Sequence, residues 1–271
     1  MPPRTTDPVS VGARLIALLD AFTARAPALT LSELSRRTGL PLTSTHRLVG
    51  ELAAGGLLER GDDGRYRIGL RLWEIASLAA RGIGLRESAL PFLEDLYEAT
   101  HQHVQLAVLE GHEVLYLERI SGRDAVSIIS RVGGRLAPHA TGVGVVLLAH
   151  APVDVQDAIL AAPLRRFTDR TETRPSELRR ILADVRRDGY AITDGTVETV
   201  ALSVAAPVRG PDDSVIAAIS VVVPAESARP REIVPAVVAA ARGISRVVGA
   251  PSSQRLARTV RRETHRRDLQ L

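Results

Sequence analysis

Apolar positions recur at helical spacing near the start of the chain. Val11, Leu15, Leu18, Leu19 and Phe22 share one helix face. Asp7-Pro8 has the form of an N-cap and first helical turn, and Pro27 lies beyond the helix end. The run Thr30-Leu31-Ser32-Glu33 reads as a capping box, in which the hydroxyl and the carboxylate each satisfy a free amide at a helix start. Leu31 and Leu34 face inward on that short helix, and Gly39 ends it at C′. A third helix is predicted from Pro41 or Leu42 to Ala54, with Leu48, Leu52 and Thr45 inward and Gly55-Gly56 as its stop.

The period then changes to two. Residues 57–60 and 65–68 alternate in character around Gly61-Asp62-Asp63-Gly64, which predicts a β-hairpin. Residues 70–80 are helical and apolar on more than one side, so this helix needs partners on two faces; linking two domains while pairing with a second subunit would supply them. Beyond it, helices are predicted at about 85–100, 141–150, 154–161, 175–188 and 231–248. Strands are predicted at 103–109, 113–120, 126–131, 190–194, 201–208 and 214–223. Hairpins outnumber βαβ crossovers, so the fold class is α+β on an antiparallel sheet. The expected organisation is a winged helix-turn-helix at 7–69, a linker helix at 70–84, a larger second domain at 85–250, and a basic, helical or frayed tail at 251–271.

Helix, capped helix, glycine turn, helix and hairpin within about 70 residues is the order of a winged helix-turn-helix, whose second helix enters the DNA major groove. Its first turn here offers Leu42, Thr43, Ser44 and Thr45, followed by His46 and Arg47. Hydroxyls of that length reach bases or phosphates, and Arg47 can pair with guanine or phosphate. Thr43 and Ser44 are equally able to cap the helix. Arg36 and Arg37 at the end of the preceding helix, and Arg65 and Arg67 on the wing, are candidates for the DNA backbone; as plain solvated charges they would do nothing.

Charge supports this reading weakly. All 35 basic residues are arginine, and the net charge is +4. Residues 1–84 carry net +3, residues 85–250 net −3 and residues 251–271 net +4. A basic head on a mildly acidic body suits a polyanion-binding domain joined to one that does not touch the polyanion. The chain has no cysteine, which excludes disulfides, thiolate metal sites and cysteine nucleophiles. No signal peptide and no apolar stretch of about 18 residues is present, so a cytoplasmic protein that does not span a membrane is expected.

The run at 29–48 (LTLSELSRRTGLPLTSTHRL) resembles the reading head of the IclR family of bacterial regulators, and 56–69 (GLLERGDDGRYRIG) resembles its wing. The similarity continues through 131–144 (RVGGRLAPHATGVG), 187–190 (RDGY) and 203–208 (SVAAPV), and spans about residues 9–248. The resemblance implies a GAF-like effector-binding and oligomerisation domain at 85–250, and a homodimer or dimer of dimers on a pseudo-palindromic operator. It also implies a small-molecule effector, usually an organic or aromatic acid, controlling a catabolic or efflux operon as repressor or activator. The implied pocket lies between the sheet and the His139-Ala140-Thr141-Gly142 run, at Ile128, Gly142, Val143, Thr193, Asp194, Ser203 and Ser220. Four positions depart from the family pattern: Val145 replaces a usual Lys, Val200 a common Gly, Thr193 a frequent acid, and Val222 a polar residue. They imply a pocket that is more apolar than usual, shaped for another ligand, or without a ligand at all.

Two alternatives stand beside a ligand-sensing domain. The second domain could serve oligomerisation only. It could also bind a metal through His101, His103, His112 or His139 with Glu110 or Asp194, although the spacing fits no recognised ligand pattern. No cofactor is expected. Without a Gly-x-Ser-x-Gly elbow, a phosphate loop or a dinucleotide fingerprint, no enzymatic activity is expected either.

Overall fold

A computed structural model of the chain describes residues 10–122, 126 and 128–253, apart from the side chains of Ala80 and Arg81. Two compact units divide between Ile83 and Gly84.

The first unit holds α1 (Val11–Asp20), β1 (Ala28–Leu29), α2 (Leu31–Thr38), α3 (Leu42–Ala54), β2 (Leu58–Arg60), β3 (Tyr66–Ile68) and α4 (Leu70–Ala76). The predicted cap at Asp7-Pro8 lies outside the described residues; Ser10 caps α1, accepting from the Ala13 amide at 3.1 Å. Leu18, Leu29, Leu34, Leu48, Leu52 and Leu58 converge in one core, joined by Val49. β1 was too short to be legible from periodicity; it pairs antiparallel with β3 and makes the wing a three-stranded sheet.

The predicted helix over 70–80 ends early. Past Ala76 the ladder tightens to i→i−3 bonds at Leu78 and Ala79, and a new helix, α5 (Ala80–Thr100), runs unbroken through the expected boundary at 85. Gly82 and Gly84 are accommodated within it, at roughly 1 kcal/mol each relative to alanine. The apolar side chains of the α4 region are exposed in the single chain: Leu70 by 72 %, Trp73 by 67 % and Leu78 by 81 %.

The second unit is built on a six-stranded antiparallel sheet in the order β6-β5-β4-β9-β8-β7. Its strands are β4 (His103–Glu110), β5 (Glu113–Ile120), β6 (Arg135–Leu136), β7 (Ala191–Asp194), β8 (Ala201–Arg209) and β9 (Val215–Pro224). Alternation sends Val104, Leu106, Val204, Ala206, Ile219 and Val221 to one face, under α5 and α9 (Pro230–Val247). The other face is covered by α6 (Gly142–Ala149), α7 (Val153–Ala161) and α8 (Pro175–Asp188) around Ala107, Val114, Ala205 and Ala218. Val145 is part of this second core at 2 % exposure.

The strand expected at 126–131 does not form among its described residues. Side chains take its backbone groups before a ladder can: Glu198 accepts from the Ile129 amide, and Arg119 donates to the Ser130 carbonyl. In the C-terminal tail, Pro251 to Ser253 are helical and residues 254–271 lie outside the described residues.

Candidate DNA-reading and ligand-binding sites

The helix-turn-helix is fixed at its centre by local chemistry. Thr30 Oγ1 accepts from the Glu33 amide at 3.2 Å, and Glu33 Oε2 accepts from the Thr30 amide at 2.8 Å, closing the capping box. Gly39 ends α2 at φ 69°, a left-handed conformation that a side chain would strain. The chain then enters α3 through Pro41, the N-cap, which has no side-chain cap bond. Thr43 and Ser44 therefore do not cap the helix, and the first amides of α3 keep their capacity for an anion.

Leu42, Thr43, His46 and Arg47 are exposed on α3, and Ser44 is half-buried. Thr45 corrects the sequence reading. It is fully buried, and its hydroxyl donates back to the Pro41 carbonyl at 3.0 Å, so it packs the helix onto the core and reaches no base. Among the described residues, the cations divide into exposed and tethered. Arg36 is exposed, whereas Arg37 donates to the Ala21 carbonyl at 2.8 Å. Arg47 pairs with Glu51 one turn along α3, and Arg67 holds Asp63 of the wing turn at 2.6 Å. Arg65 donates to Glu33 at 2.9 Å and to the Ala28 carbonyl at 3.2 Å. Exposed pairs of this kind are weak, so a phosphate can compete for each cation.

In the second unit, register aligns Thr193, Ser203 and Val222 in one row across β7, β8 and β9, with His103 of β4 next in line. The first three floor a cavity that encloses about 420 Å³ when its open mouth is counted. The start of α6 forms its wall. A Cβ built on Gly142 would come within 2.6 Å of Ser203 Oγ and 3.3 Å of Thr193 Oγ1, so only glycine lets the helix approach the floor this closely. Thr141 caps α6 by accepting from the Gly144 amide at 3.1 Å. The Gly142 and Val143 amides have no intrahelical partner, and both residues line the cavity.

Of the expected pocket residues, Ile128, Gly142, Val143, Thr193 and Ser203 line this cavity. Two do not. Asp194 is turned to the opposite face by strand alternation and pairs with Arg170 at 2.8 Å. Ser220 is fully buried behind the wall, where its hydroxyl donates to Gln105 Oε1 at 3.2 Å; Gln105 in turn donates to Ser130 Oγ at 2.6 Å. Among the departures from the family pattern, Val222 lines the cavity, Val145 is in the core beneath it, and Val200 is exposed.

Sequence reasoning missed Gln105, Tyr116, Ser130, Thr141, Thr196 and Glu198 as lining residues. Gln105 was detectable as a polar position inside an apolar strand. Tyr116 and Glu198 gave no such signal. Burial holds the Tyr116 phenol far above its usual range, opposed by its bond to Thr141 and reinforced by the Glu198 charge. Burial also raises the Glu198 carboxyl, against the Ile129 amide that stabilises its anion.

The histidines of the metal alternative do not converge. No group of three potential ligands forms a metal site among the described residues. His103 Nε2 bonds the Val126 carbonyl and His139 Nε2 the Arg165 carbonyl, and burial lowers the pKa of both rings. No described helix is long and apolar enough to cross a membrane.

Family models agree with both halves. The IclR helix-turn-helix domain matches residues 13–62, and the bacterial transcriptional regulator IclR C-terminal domain matches residues 78–246. The HTH-type transcriptional regulator XynR of Escherichia coli K12 is 33 % identical over 209 residues, covering 76 % of this chain and 83 % of its own. BhcR of Paracoccus denitrificans is 33 % identical over 237 residues, covering 86 % and 85 %. Among solved structures, an IclR homolog of Microbacterium hydrocarbonoxydans complexed with 4-hydroxybenzoate superposes with a TM-score of 0.85 at 43 % identity, over 88 % of this chain and 99 % of that one. With a matched reading head, a matched C-terminal domain and the same fold, the chain belongs to the IclR family of helix-turn-helix transcriptional regulators.

Proposed function

We propose that this regulator binds a pseudo-palindromic operator as a homodimer or dimer of dimers, and that a small carboxylic acid, aromatic by preference, controls it. The observation that carries the proposal is the cavity at the start of α6. First-turn amides of α6, which have no intrahelical partner, and the hydroxyls of Thr193 and Ser203 offer a carboxylate several donors, while Ile128, Val143 and Val222 offer an apolar body its surroundings. The 4-hydroxybenzoate bound by the Microbacterium homolog has this chemistry. The exposed side chains of Leu70, Trp73 and Leu78 support an oligomer, since a second copy would remove them from water. A catabolic or efflux operon is the proposed target.

The reading proposed for the mechanism is a population shift. Ligand binds one conformation of the second unit better, and the difference in affinity passes along the chain through α5 and α4 to the reading heads; such couplings are typically about 1–3 kcal/mol. Titration of the full chain with 4-hydroxybenzoate tests it. The expected result is a raised melting temperature and an altered affinity for operator DNA. The reading is overturned if neither this acid nor other small aromatic acids change either quantity.

A further inference from the structure

Resting on that reading of the cavity, we infer that Glu198 is a specificity-determining residue that selects, among carboxylic acids, those carrying a second hydrogen-bond donor such as a hydroxyl. The cavity has two chemically opposite poles. The start of α6 with Ser203 and Thr193 presents donors, which suit an anion. Glu198 lines the same space and brings a carboxylate to it. Its one described hydrogen bond is from the Ile129 amide, and no described cation acts on its carboxyl. A carboxylate accepts about four hydrogen bonds, so accepting capacity remains on the cavity side.

An acid without a donor would meet this group badly. Its own negative charge would enter a confined space beside a carboxylate that no described cation offsets, and Glu198 would lose water without gaining a partner. An acid with a hydroxyl replaces that water by an O–H donating to Glu198. Burial has already raised the carboxyl of Glu198, as expected for a group short of partners. Position adds to this. Thr196, two residues earlier, donates to the Ala140 carbonyl at 2.7 Å, which pins the loop carrying Glu198 to the segment that leads into α6. Glu198 also bears on Tyr116, whose hydroxyl bonds Thr141, the cap of α6. Both poles thus sit within reach of a single small ligand.

Calorimetric titration of the full chain with benzoate and 4-hydroxybenzoate tests the inference. The wild type should bind the hydroxy acid on the order of 10-fold or more tightly than benzoate, since a site built to bond a hydroxyl penalises its absence. Glu198→Ala should bring the two affinities together. Glu198→Gln keeps the size of the side chain and removes its charge; it should tighten benzoate and narrow the difference, and it serves if the alanine variant does not fold. An unchanged preference in both variants, or equal affinities in the wild type, overturns the role of Glu198 and leaves the aromatic-acid reading intact. Binding of neither acid to the wild type overturns this inference, and the aromatic-acid reading falls with it when other small aromatic acids also have no effect.

Discussion

Arg65 of the wing and Glu33 of helix α2 form one ion pair, with Nη1 2.9 Å from Oε2. Glu33 is simultaneously the acid of the capping box. One carboxylate therefore closes the start of the first helix of the helix-turn-helix and ties the wing to it. The Arg65 guanidinium also bonds the Ala28 carbonyl, so its contacts orient the wing strand.

A dependence on acid follows. The Thr30 amide, then the Thr30 hydroxyl, then Arg65 lower the pKa of Glu33 below the usual carboxylate range. A depressed folded-state value means that the stabilising contribution is present at neutral pH and is lost as pH falls through that range toward the depressed value. Glu33→Gln should remove this share of the acid sensitivity and lower stability at pH 7. Thermal melts of both proteins between pH 3 and 7 check it; parallel curves would show that Glu33 does not contribute.

Thr30→Ala removes the hydroxyl half of the box. Loss of an N-cap of this type costs about 1 kcal/mol, up to roughly 2. The expected outcome is a lower urea midpoint for the first unit of the full chain and weaker operator binding, with the ligand affinity of the second unit unchanged.

Arg47 and Glu51 lie one turn apart on α3, both exposed. Arg47→Ala should weaken operator binding by roughly 1–3 kcal/mol if it reads a base, and should weaken all duplexes alike if it contacts phosphate. Glu51→Gln should tighten binding, because it frees Arg47 and removes a negative charge beside the DNA. Anisotropy titrations on operator and unrelated duplexes at two salt concentrations separate these outcomes, since a phosphate contact steepens the salt dependence.

Gly142→Ala should block the ligand. The added methyl would stand 3.1 Å from Ser203 Cβ, which rotation of the hydroxyl cannot relieve. Overpacking of this kind typically costs about 1–3 kcal/mol. Calorimetry should find no binding of 4-hydroxybenzoate by a variant that still binds operator DNA.

Leu78→Glu places a charge on a side chain that is 81 % exposed in the single chain. If a second copy covers it, the variant should shift toward monomer in sedimentation velocity. An unchanged distribution would locate the oligomer interface elsewhere.

Local rules made the reading head legible. A capping box, a left-handed glycine and a hairpin turn each depend on residues within about five positions, so Thr30, Gly39 and the Gly61–Gly64 turn announced themselves. The same locality explains the successes in the second unit, where most strands and helices followed their periods. It also explains the failures. Strand formation at 126–131 depended on whether its backbone groups would pair with a ladder, and Glu198, 69 residues away from Ile129, decided that they would not.

The sequence alone determined most of the order of elements, the α+β class and the family. Spacing and turn chemistry are short-range, and the diagnostic motifs are contiguous. Only the tertiary structure decided which side chains share the cavity. Register across β7, β8 and β9 sets Thr193, Ser203 and Val222 in a row, and Gly142 lets α6 descend onto it. Strand alternation turns Asp194 away, and burial withdraws Thr45 and Ser220 from contact with any ligand. Glu198 became a candidate only when the fold set its carboxylate, on which no described cation acts, against a cavity. Convergence in space of residues far apart in the chain is set by packing, which no local pattern encodes.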